Sequence, residues 1–184
     1  MSNTFPRFLA TALLVTALPF AAHAQEKDSK GGTPTDAAFV ANASAGGIAE
    51  VEMGKLAQTN SQSAKVRKFG QQMVADHTKA GEELKSLAGG DRGYATAESA
   101  APDAQKDINA LERLKGPEFD REYAKVMVAA HEKTVAIFQA ETEKGTSDEL
   151  KAFAKDTLPT IKHHLTMARD LASETPAPRT KGGK

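Results

Sequence analysis

The stretch from Lys65 to Ala88 constrains this chain most. At 3.6 residues per turn it places Val66, Gly70, Met73, His77, Ala80, Gly81, Leu84 and Ala88 on one face. That face is apolar except for one imidazole near its middle. Two later stretches repeat the arrangement around His131 and His164, and an earlier one offers Glu50 in the same way. A chain with this period, and with no strand-period segment of any length, folds as packed helices.

The punctuation between these stretches gives the order of the helices. The first runs from a cap at Thr35 or Asp36 to about Thr59, with Phe39, Ala43, Glu50 and Ala57 on one face. Its glycines at 46, 47 and 54 cost about 1 kcal/mol each relative to alanine, which makes sense only if something must come close. Asn60–Ser63 is a turn, and the second helix then runs to Ala88. Gly89-Gly90 follows, a pair suited to a left-handed C-terminal conformation. A polar connection and a short helix, about Asp103 to Lys115, lead to Gly116. Pro117 opens the third long helix, which reaches about Lys144 and carries Asp120, Ala124, Met127, His131, Val135 and Phe138 inward. Thr146 to Glu149 resembles a capping box for the fourth, whose inner face holds Phe153, Ile161, His164 and Leu171. Pro159 lies inside that helix and is expected to kink it by deleting the bond to Lys155.

Four helices of roughly 25 residues, each ~35–40 Å long, suit an all-α antiparallel four-helix bundle. The long connection, with its short extra helix, leaves room for a crossover between two hairpins. The bundle domain is read as residues 36–173, with a disordered leader at 25–35 and a disordered tail at 174–184.

Residues 1–24 read as a signal peptide. Arg7 precedes a short apolar run from Phe8 to Leu18, and Ala22-His23-Ala24 is a small-x-small cleavage site. Nothing after residue 25 resembles a transmembrane helix, and the absence of cysteine removes both lipid attachment and a disulfide framework. The expected location is the periplasm, with secretion or envelope association as the alternative. Lys+Arg and Asp+Glu each number 24, so charge gives no reason to expect nucleic acid or an anionic membrane as partner. An envelope protein or a second copy of the chain stays open as a partner.

The functional interest lies in the polar groups on the inner faces. His77, His131 and His164 lie at comparable heights on antiparallel helices, as does Glu50, while His163 points elsewhere. An unpaired buried polar group costs on the order of 1–3 kcal/mol, so these four must satisfy one another or hold something. Imidazoles with one carboxylate suit a single zinc, iron or copper ion. The alternative is a metal-free hydrogen-bonded layer. Asp76 is a candidate acceptor for an imidazole N–H, but it points about 100° from His77 and reads more simply as a surface charge. Glu52 replaces Glu50 if the phase of the first helix differs. Asp120 and Tyr123 read as an interhelical hydrogen-bonding pair rather than ligands, and Met73 and Met127 as packing residues.

The pattern Ala49-Glu50-Val51-Glu52-Met53-Gly54, Met73-Val-Ala-Asp76-His77, Phe119-Asp120 with Tyr123, His131, Leu158-Pro159 and His164 resembles the exported bacterial proteins of the domain-of-unknown-function 4142 family. The likeness covers about Ala37 to Ala172. It implies a ferritin-like bundle and no established activity. The di-iron pattern of ferritin-like proteins needs Glu-x-x-His on two helices, whereas Val74, Val128 and Ile161 stand three residues before the histidines here. No Ser/His/Asp set or phosphate-binding glycine loop stands out, so a binding or structural role is favoured over an enzyme.

Overall fold

The computed structural model describes residues 34–89 and 93–175. The expected signal peptide, the leader up to residue 33, Gly90 and the tail beyond Thr175 lie outside the described residues. The elements are α1 (Pro34–Asn60), α2 (Ala64–Ala88), α3 (Pro102–Glu112), α4 (Gly116–Lys144) and α5 (Asp148–Glu174), with no strand among the described residues. No described helix is long and apolar enough to cross a membrane.

α1 packs chiefly on α2, and α4 on α5; the two hairpins close against each other through α1 with α4 and α2 with α5. The connection between them travels along α1. Tyr94 donates to Asp36 near the start of α1, Ala97 N–H to Ser44 Oγ further on, and Asn60 at its end donates to Leu111 O. The chain therefore runs up, down, crosses over, then down and up. That is an antiparallel four-helix bundle with one long crossover, which carries α3.

Two glycines set the spacing of the first hairpin. A Cβ at Gly70 would lie 2.6 Å from Ala57 Cβ, and one at Gly54 would lie 2.7 Å from Gly70 O. Only bare backbone permits this approach of α1 to α2. At the opposite end Asp36, fully buried, accepts from Thr146 N–H at 2.8 Å, Thr146 Oγ1 at 2.7 Å, and both Ser147 N–H and Tyr94 Oη at 3.1 Å. Burial alone would raise its pKa; these bonds outweigh burial and hold the carboxyl below its ordinary value. Asp36 thus ties three segments together instead of capping its own helix, which begins earlier, at Pro34.

Local expectations are corrected in two further places. Gly89 ends α2 with φ −78°, an ordinary right-handed conformation rather than a left-handed one; positive φ occurs at Gly93, at 59°, and Gly116, at 55°. The cap of α5 is Ser147, which accepts from Leu150 N–H, because Thr146 is turned to Asp36. Pro159 lies inside α5, as expected, and is exposed.

The interior divides into two apolar clusters. One holds Met53, Phe69, Met73, Tyr123, Met127 and Ala168; the other holds Phe39, Leu84, Phe138, Phe153 and Ile161. On α2, α4 and α5 one histidine separates them, and on α1 Glu50 lies beside Ala49 at the edge of the first cluster. Glu50 stands between Val40 and Met53, His77 between Met73 and Leu84, His131 between Met127 and Phe138, and His164 between Ile161 and Ala168.

A trihistidine layer as candidate metal centre

The apolar clusters hold the helices in register, and this register brings the three histidines together. Their ring centroids form a nearly equilateral triangle, with separations of 5.7 Å (His77–His131), 5.4 Å (His77–His164) and 5.5 Å (His131–His164). One ring nitrogen from each lies within 4.8 Å of the others. His131 and His164 are essentially inaccessible to solvent, and His77 is 8% exposed. His163 is exposed and takes no part.

Each ring is oriented from one edge. His131 Nδ1 lies 2.9 Å from Met127 O, which can only accept, so this nitrogen carries the proton. His164 Nε2 donates to Asp76 Oδ2 at 2.8 Å. Beside His77, Glu50 Oε2 approaches Nδ1 to 3.1 Å without the alignment of a hydrogen bond, and Oε1 lies 3.6 Å from His131 Nδ1. The other nitrogens, Nε2 of His77, Nε2 of His131 and Nδ1 of His164, are buried with no hydrogen-bond partner among the described residues.

The electrostatics are those of a site short of positive charge. Burial lowers the pKa of His77 to about 4, against the pull of Asp76. Burial also lowers His131, opposed by Glu50, and His164, opposed by its bond to Asp76. All three rings are neutral near pH 7. Glu50, 1% exposed, therefore has no cation beside it among the described residues; burial raises its pKa, and His131 and the 3.5 Å contact from Thr134 only partly offset this.

Glu50 faces the interior, and Glu52 lies on the outer groove between α1 and α2. Asp76 corrects the expectation of a simple surface charge. It reaches α5, where it meets His164. Reading α2 alone could not reveal this, because the partner belongs to another helix. Asp120 accepts from Ser61 Oγ instead of pairing with Tyr123. The Tyr123 hydroxyl is buried without a hydrogen-bond partner among the described residues, and its ring stacks on Phe119 at 5.3 Å. Met73 and Met127 are core packing residues.

The sequence matches the family described as Domain of unknown function (DUF4142) over residues 21–171. No curated protein matches it. Two solved structures share the fold. A DUF305 fragment from Deinococcus radiodurans is 14% identical with a TM-score of 0.68, covering 78% of this chain and 99% of its own. A DUF305 protein from Streptomyces coelicolor is 16% identical with a TM-score of 0.66, covering 79% of this chain and 98% of its own.

Proposed function

The chain belongs to the DUF4142 family, whose description carries no activity, and we propose from the site itself that it is an exported bundle holding one transition-metal ion through His77, His131 and His164. One observation carries this reading: three buried imidazole nitrogens, without partners among the described residues, stand beside a buried carboxylate that has no cation among them. A divalent ion supplies both missing interactions. Neutral imidazoles are already in the protonation state that binds metal.

Zinc–nitrogen bonds of about 2.0–2.1 Å put tetrahedral donors ~3.3 Å apart, so the nitrogens need to close inward by at most ~1.5 Å. Asp76 orients His164 from behind, and Glu50 sits at the outer edges of His77 and His131. Together the two carboxylates balance a double positive charge. The donor set suits zinc, iron or copper, and the absent Glu-x-x-His pairs leave it a one-ion site. Arg7, the apolar run and Ala22-His23-Ala24 support export, with the periplasm as the compartment.

Elemental analysis of untagged protein from native periplasm tests the reading. One equivalent of metal is expected, and none in a folded variant with all three histidines replaced. Metal-free protein after purification with added zinc, iron and copper would overturn it, and the layer would then be structural.

A further inference from the structure

We infer that the metal's fourth coordination position is open and takes a small exogenous lone-pair donor of one to three heavy atoms, which enters through a gap at Gly47 and Gly81. This rests on the trihistidine reading. A cavity of about 40 Å³ lies against His77, His164 and Glu50. A water needs roughly 10–15 Å³ by this measure, so the space suits one to three waters or a molecule of that size. Leu84, Phe138, Phe153 and Ile161 line it too, with Thr134 and Thr157. Bulkier metal ligands do not fit.

The route follows from the glycines. Gly47, His77 and Gly81 line both this inner cavity and an outer groove between α1 and α2. A Cβ at Gly47 or Gly81 would meet nothing within 4 Å, in contrast to Gly54 and Gly70, where helix packing excludes one. Packing therefore does not demand glycine at 47 and 81. Their bare backbone keeps a gap at the one histidine of the layer that is partly exposed, and its unpartnered Nε2 is buried behind that gap. Side chains of ordinary length at either position would fill the gap.

Protein freed of metal and reloaded with cobalt(II) gives the test, with azide as probe. Uptake of one equivalent of cobalt is expected, followed by a saturable shift of its visible bands on azide addition. Gly81→Leu, and separately Gly47→Leu on the facing helix, should keep the cobalt and slow azide association at least tenfold; Gly81→Ala should slow it less. Cobalt at one equivalent with bands unmoved by azide would leave the metal site standing and overturn the open position. Association unchanged in both leucine variants would overturn the route. Failure of the wild type to take up cobalt would remove both this inference and the metal reading beneath it.

Discussion

His164 donates its Nε2–H to Asp76 Oδ2 across the α2–α5 interface at 2.8 Å, and this leaves Nδ1 of the same ring buried and without a partner. The bond fixes the tautomer and the ring plane together. A carboxylate behind a metal-binding imidazole also raises its basicity. Asp76→Ala should therefore weaken metal affinity about 10–100-fold, with Asp76→Asn falling between it and the wild type. Competition against a chromophoric chelator measures this. Equal affinities would show that Asp76 only tethers α2 to α5.

Glu50 gives the opposite balance with and without metal. In the metal-free protein its buried carboxyl has a raised pKa and no cation beside it. Glu50→Gln removes that charge while nearly preserving shape. Thermal melts should show the variant more stable than wild type in the presence of chelator. They should show a smaller stabilisation than wild type when metal is added, because the neutralising charge is gone. A variant less stable than wild type in chelator would contradict a carboxylate without a cation.

The pH dependence of the metal-free protein follows from the three rings. His77 titrates near 4 when folded and near ~6.5 when unfolded. Between those values the unfolded chain binds a proton that the folded chain refuses. Stability from His77 is thus complete above about pH 6.5 and is lost as pH falls towards 4, by on the order of 3 kcal/mol. His131 and His164 are lowered and act in the same direction. Glu50 is raised and opposes them: its contribution is lost as pH rises from about 4.5 through its folded value. Glu141, buried and pushed up to about 7, opposes them as well, so the share of His77 is read by difference: between about pH 7 and pH 4.5 the urea midpoint of His77→Leu should fall less, or rise more, than that of the wild type. Equal pH slopes in the two proteins would mean that the His77 ring is already charged in the fold.

The glycines of the first hairpin divide into two kinds. Gly70→Ala places a Cβ 2.6 Å from that of Ala57, so α1 and α2 must separate, and a loss of about 1–3 kcal/mol is expected. Gly81→Ala meets nothing and should stabilise α2 by about 0.5–1 kcal/mol. Denaturant unfolding of the two variants checks both signs. A neutral Gly70→Ala would mean the hairpin tolerates a wider spacing than its glycines suggest.

Helical periodicity alone determined much of this protein. It placed Glu50, His77, His131 and His164 on inner faces, separated His163 from them, and set the helix lengths within a few residues, because the side-chain period is a local property of the backbone. It also identified glycines near the polar residues. Tertiary structure alone decided what crosses between helices. Asp76 had to be seen beside α5 before its bond to His164 could be read, and Asp36 beside Thr146 and Ser147. The distinction between Gly70, pressed on Ala57, and Gly81, facing open space, is likewise a property of two helices and not of one. The triangle of rings belongs to the same class, since a turn's slip of any helix along its axis, about 5.4 Å, would keep every face and dissolve the layer. The two apolar clusters above and below prevent that slip, and their interlocking is written in no single segment of the chain.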